Sequence, residues 1–226
     1  MTITLDREGF TGAVKAVLPC VGGSKRPDAQ QCLLVGVDAA HVDIVATNGH
    51  MLAHWREPIV AGEATDEQLL IANHKDLATW LRRVKGDFVA IDVDAGTIEA
   101  RGSTFAFALC GGTYPPWRSI IRDVVERRAQ AQDELVSTLR KHAAQFDSAE
   151  LPEYAQAARD AAKALCNRSV ALSSTYAATT ERCFRAAKID GIATWTGALD
   201  PIVSRSNDPE QTLTVITMPM RQDDAR

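Results

Sequence analysis

Thr2-Ile3-Thr4-Leu5 alternates polar and apolar side chains, the two-residue period of a strand with one buried face. Asp6 follows as an N-cap. Phe10, Ala13, Val14, Val17 and Leu18 then recur at the three- and four-residue spacing of one helical face, which ends at Pro19 and the Gly22-Gly23 pair. After the polar loop 24–28, strands are predicted at about 32–37, 42–47 and 50–56. Asn48-Gly49 between the last two favours the positive φ angles of a two-residue hairpin.

The same order of elements then begins again. Residues 68–72 read as a strand, and 75–85 as a helix burying Leu77, Trp80, Leu81 and Val84, with Gly86 as its C-cap. Strands at 88–93, 97–101 and 104–109 complete it. Strand, helix and three strands, twice over, is an internal repeat of elements without a repeat of residues. It predicts an α+β fold in which each repeat packs one helix on its own antiparallel sheet.

Two glycines and two prolines within Cys110-Gly111-Gly112-Thr113-Tyr114-Pro115-Pro116 stop any regular element and mark a boundary. Beyond it lie two Ala-rich helical stretches, 130–146 and 152–166, almost back to back. Strand-like segments are read at 169–173, 182–188, 192–196, 202–206 and 212–217. The expected organisation is a first domain over 1–113, a linker over 114–122 and a second, divergent α+β domain over 123–226.

Composition narrows the class. With 25 Lys and Arg against 29 Asp and Glu, the net charge of −4 does not advertise nucleic-acid binding, although local basic patches suffice for phosphate contacts. The five cysteines are odd in number and lack C-x-x-C spacing, which argues against a disulfide framework or a structural zinc site and for a reducing cytoplasm. No run of about 18 apolar residues predicts a membrane span, and no leader-like segment opens the chain.

Candidate chemistry is sparse. His50 and His54 on one extended strand stand about 13 Å apart, too far to share a metal ion. No H-E-x-x-H, G-x-x-x-x-G-K-[ST], G-x-S-x-G or G-x-G-x-x-G is present, so no catalytic, metal or cofactor site is expected. The unpaired cysteines read as small buried hydrophobes. Tyr114-Pro115-Pro116-Trp117 serves as a stiff extended linker. Met218-Pro219-Met220 near the chain end offers soft apolar surface, for a core or for an adaptable peptide groove.

Three stretches taken together, Thr47-Asn48-Gly49-His50-Met51-Leu52, Tyr114-Pro115-Pro116-Trp117 with Ile120, and Met218-Pro219-Met220, resemble the partner groove of the bacterial sliding clamp, the beta subunit of DNA polymerase III. In that family a threonine-aspartate-glycine-histidine turn, a phenylalanine-proline-aspartate-tyrosine linker and a terminal methionine-proline-methionine converge on a hydrophobic groove for short linear motifs. The resemblance implies the DNA-clamp fold in a form with only the second and third domains. It implies groove residues Thr47, Gly49, His50, Met51, Leu52, Pro115, Trp117, Ile120, Met218, Pro219 and Met220. Asn48 stands for an aspartate and Met51 for an arginine, and the adjacent helices of 130–166 depart from the usual order.

Clamp rings hold six similar domains, so two-domain chains close as a homotrimer by head-to-tail contacts. The implied partners are duplex DNA and polymerase, clamp-loader or repair proteins, and the implied role is a processivity factor rather than an enzyme. Arg7, Lys15, Lys75, Arg82, Arg83, Arg140, Arg159 and Lys163 are the candidate DNA-facing cations, each equally readable as part of a solvated helix face. A second reading is a clamp-like regulator that keeps the groove without encircling DNA.

Overall fold

The computed structural model describes residues 1–62, 66–149, 151–166, 174–188, 191–194, 202–206 and 213–217. In chain order the elements are β1 (Thr2–Asp6), α1 (Arg7–Val17), β2 (Leu33–Val37), β3 (His41–Thr47), β4 (Met51–Pro58), β5 (Ala61–Gly62), β6 (Glu67–Ile71), α2 (His74–Arg83), β7 (Phe88–Asp92), β8 (Thr97–Ala100) and β9 (Ser103–Ala106). There follow α3 (Trp117–Ile121), a π-helical turn over Arg122–Glu126, α4 (Arg127–Ser148), α5 (Pro152–Cys166), α6 (Ser174–Ala187), β10 (Gly191–Thr194), β11 (Ile202–Ser206) and β12 (Leu213–Thr217).

The compact units do not follow chain order. One joins Met1–Trp117 with Ser174–Ile192 and Ser204–Thr217, while α4 and α5 belong to the other.

The two predicted repeats of the first unit exist, but each gives its first strand away. β1 leaves β2–β4 and pairs with β7, Ile3 opposite Ile91 and Leu5 opposite Val89. β6 in turn pairs with β2, Leu33 opposite Ile71 and Val35 opposite Leu69. The sheets therefore run β5-β1-β7-β8-β9 and β10-β11-β12-β4-β3-β2-β6. The expectation of one sheet per repeat is corrected: alternation fixes which face of a strand is apolar, and it leaves open which neighbour the strand joins.

Helix α1 starts where the side chain of Asp6 accepts a hydrogen bond from Gly9 N at 2.6 Å. It buries Phe10, Thr11, Ala13, Val14, Ala16 and Val17, more of its circumference than a single sheet contact needs. The reason is α6. Tyr176, Phe184 and Ala187 of α6 pack against the same core, in which Cys183 is buried. Residues 182–187 of the stretch expected as a strand at 182–188 are therefore helical, and Lys188 is the turn that follows. Tyr176, Thr179, Cys183 and Ala187 follow the helical period, and packing on α1 selects the helix over the strand expected for this stretch.

The turn residues obey local physics with one shift of register. Asn48 N donates to Met51 O at 3.2 Å, so Gly49 and His50 are the central pair of the hairpin. Gly49 alone has positive φ, +83°, as a type II′ turn requires. Asn48 instead uses its carboxamide oxygen to accept from His50 N at 3.0 Å and Met51 N at 2.9 Å.

In the second unit α4 and α5 match the expected Ala-rich helices, and Ala143, Ala155 and Ala158 are buried. Phe146 lies 5.7 Å from Tyr154, ring centre to ring centre, beside the short connection. Within the stretch 114–122 expected as a linker, α3 begins at Trp117.

Gly9 tests how closely α1 lies on β4. A Cβ there would sit 2.0 Å from Glu57 Oε1, and that carboxylate is held by Trp55 Nε1 at 2.8 Å. Gly9→Ala is expected to lower unfolding stability by about 1–3 kcal/mol despite the better helix propensity of alanine. Urea titration at neutral pH checks it, and an unchanged midpoint would show that the contact yields freely.

Candidate functional site

The candidate groove residues divide into a buried base and an exposed rim. Thr47, Met51 and Leu52 are only 5%, 2% and 4% exposed. Thr47 Oγ1 donates to Met51 O at 2.7 Å and accepts from Gly49 N at 3.1 Å, so the turn is closed from inside. Met51 and Leu52 are opposite Thr217 and Ile216 of β12. The chain thus brings Thr217, the residue before Met218, to the foot of the His50 turn. Met218, Pro219 and Met220 themselves lie outside the described residues.

His50 is exposed, and its ring stacks on Tyr176 of α6 with centroids 5.8 Å apart and planes at 27°. Thr180, one turn further along α6, meets Thr217 at 3.4 Å through the two hydroxyls. Turn, helix and strand end therefore converge on one corner of the first unit. Gly49 is required there twice over, by its φ and by Arg26 Nη1 and Gln30 Oε1, each 3.3 Å from where a Cβ would stand.

A buried carboxylate ties β3 to β4 further along the same hairpin. Asp43 of β3 has no exposed surface, yet its Oδ1 accepts from Arg56 Nε at 3.2 Å and meets His54 Nε2 at 2.7 Å. Burial alone would push Asp43 upward, but the His54 hydrogen bond, with the charges of His54 and Arg56, holds its carboxyl below the ordinary carboxylate value. The opposite side of His54 lies 5.2 Å from Trp117, ring to ring. Tyr114 is anchored nearby, its hydroxyl 3.4 Å from Val45 O, and burial pushes its phenol well above the usual value. Pro115 and Ile120 are half-buried, Trp117 is buried.

Sequence reading missed Asp43, His54, Tyr114 as an anchor, and Tyr176. A carboxylate inside Val42-Asp43-Ile44-Val45 was a usable signal, because a charge in the middle of an apolar strand needs a partner. Tyr176 gave none, since its contact with His50 spans 126 positions and rests on α6 being a helix.

The candidate cations differ in setting. Lys15 and Lys75 are exposed and line one cavity of about 950 Å³, together with Asp28 and Asp76. Arg82 and Arg83 are exposed in the last turn of α2, and Arg140 is exposed on α4. Arg7 is half-buried and donates from Nε to Gly86 O, and Arg159 is paired with Asp147. The side chain of Lys163 lies outside what is described. Among the described residues no three His, Cys, Asp or Glu side chains gather in a way that could hold a metal, and no helix is long and apolar enough to cross a membrane.

Compared with solved structures, the chain superposes along nearly its whole length on the DNA polymerase sliding clamp of Bacillus subtilis, with a TM-score of 0.66 over 98% of this chain at 14% identity. It has the DNA sliding-clamp fold. DNA polymerase III beta subunit from Thermotoga maritima matches equally, at a TM-score of 0.66, 10% identity and 98% of this chain. The C. crescentus beta sliding clamp, solved with polyethylene glycol at a region proposed for beta-motif tethering, matches at a TM-score of 0.62, 13% identity and 97% of this chain. This chain spans 64%, 65% and 66% of those three clamps. No family model and no curated protein matches the sequence.

Asp43 gives the site a pH signature. Its depressed carboxyl contributes stability that is present above the ordinary aspartate range and lost as pH falls through the folded value. Asp43→Asn is expected to cost about 2 kcal/mol at pH 7, discounted for the half-exposed Arg56. The gap between the two proteins should close below about pH 4. Urea titrations at both pH values decide it, and a pH-independent gap would assign the loss to shape rather than charge.

Proposed function

We propose that this chain is a non-enzymatic scaffold of the sliding-clamp class, which closes around duplex DNA as a homotrimer and tethers replication or repair proteins by short linear motifs at the His50 corner. The observation that carries this is the clamp fold over 98% of the chain, with the His50 turn, Tyr176 and the end of β12 at one place. Since the chain spans about two thirds of a three-domain clamp, three copies supply what two full-length chains do. In the five-stranded sheet β9 has only β8 as its ladder partner among the described residues, which leaves an edge for the next subunit.

At the corner, His50 and Tyr176 would offer an aromatic face to an incoming apolar or aromatic side chain, and Met218–Met220 join the groove only through the family resemblance. Thr47, Met51 and Leu52 act beneath them, as the base that keeps the turn in place. For DNA, Lys15, Lys75, Arg82, Arg83 and Arg140 are exposed candidate cations that would meet phosphates without sequence preference. Arg7 and Arg159 are first of all structural. A cytoplasmic setting follows from that role.

Light scattering should give about three times the 24.5 kDa chain mass. The protein should stay on nicked circular duplex DNA and run off the linear form, and Arg82→Glu should shorten its residence while leaving the mass unchanged. A monomer that binds motif peptides but is not retained on circles would replace the ring by the regulator reading. In a separate measurement, His50→Ala is expected to weaken a fluorescent clamp-motif peptide by about tenfold. Equal affinity would move the binding surface elsewhere.

A further inference from the structure

Two of the cysteines are placed against each other. Cys20 ends the 3₁₀ turn Leu18–Cys20 that follows α1, and Cys183 lies on α6. Both are completely buried, and their sulfurs are 3.7 Å apart although the residues are 163 positions apart in sequence. Cys32 and Cys110 also neighbour each other, but each thiol donates to a backbone carbonyl, that of Asp28 at 3.3 Å and that of Gly111 at 3.2 Å, and Cys110 is partly exposed. A disulfide needs its sulfurs at about 2.05 Å, so closing the pair takes a further approach of the two side chains.

We propose that Cys20 and Cys183 form a reversible disulfide that staples α6 to the end of α1. Each thiol gives up a proton and an electron. The oxidant is a low-molecular-weight disulfide, reduced to two thiols: one cysteine thiolate attacks it and releases the first small thiol, and the second cysteine displaces the other from the mixed disulfide. The Cys183 thiol and burial both raise the Cys20 thiol well above its ordinary value, so the exchange is slow while α6 is seated. It proceeds when α6 lifts or as the chain folds, and once formed the bond is shielded from reductant. The staple constrains the unfolded chain across a long loop. It does not depend on the clamp reading, because both cysteines lie within the first unit.

The test uses the full chain incubated with oxidised glutathione. Free thiols are then alkylated, and the unreduced tryptic digest is mapped by mass spectrometry. The expected product links the peptide of residues 16–25 to that of residues 183–185, two hydrogens lighter than the sum, and dithiothreitol separates them. The linked protein should melt roughly 5 °C or more above the reduced one. Cys183→Ser should abolish both effects and Cys110→Ser neither. Recovery of Cys20 and Cys183 as alkylated thiols or glutathione adducts overturns the proposal, as does linkage to Cys32 or Cys110 or a melting point that does not rise. The mapping is made on the unmodified sequence, so it decides even where a variant fails to fold.

Discussion

Helix α1 is the element on which the first unit turns, because it is packed on more than one side. Its Phe10, Val14 and Val17 enter the core shared with β1, β4 and β7, and Ala13 and Ala16 are fully buried. A helix with one apolar stripe can be covered by one sheet, whereas this one needs a second cover, and α6 supplies it. That demand explains why a segment more than 150 residues downstream is drawn into the first unit. It explains the small residues as well. Gly9 meets a buried carboxylate of β4, and Ala13 and Ala16 keep the helix thin where neighbours press from several directions.

From that packing follows the position of the candidate site. Once α6 is seated on α1, Tyr176 at its start stacks on His50 and Thr180 reaches Thr217. β12 then extends the sheet beside β4 in a register that places Thr217 against Met51. None of these contacts is local. The exchanged strands β1 and β6 make the platform rigid by tying each repeat into the sheet of the other, so neither sheet can slip without disturbing both. A corner that binds as proposed would lose little entropy there, since His50 and Tyr176 are already stacked.

What the sequence disclosed and what it withheld separate along the same line. Contacts within a few residues were legible: the Asp6 cap, the apolar faces of α1 and α2, the alternation of β2 to β4, the limits of α5 and the His50 turn to within one residue. Pairing between distant strands was not, because Ile3 and Leu5 alternate identically whether they meet Val89 and Ile91 or any other apolar edge. The segment 182–188 failed for a related reason. Seven residues are too few to separate a strand from a helix by period alone, and the choice was made by α1, which no local window contains. At the candidate site, the His50 turn and Trp117 stood in stretches that the sequence singles out and Met218–Met220 lie outside the described residues, while the Asp43–His54 pair needed two neighbouring strands to be read in register.

The buried base of the corner bears on how it would discriminate between ligands. Met51 and Leu52 are committed to the sheet and cannot adapt to a guest, whereas His50 and Tyr176 share a face that is open on one side. Recognition would then rest on a rim set by backbone geometry: Gly49 fixes the turn, Asn48 holds it with two accepted hydrogen bonds, and Asp43 ties β3 to β4 through His54. Where the family resemblance implies an arginine at position 51 and an aspartate at 48, this chain has uncharged side chains that work for the fold. Fewer charges at the rim reduce long-range steering of a partner and leave selection to shape and apolar contact at close range. A motif suited to this corner would therefore carry its affinity in one or two bulky apolar side chains rather than in acidic flanks.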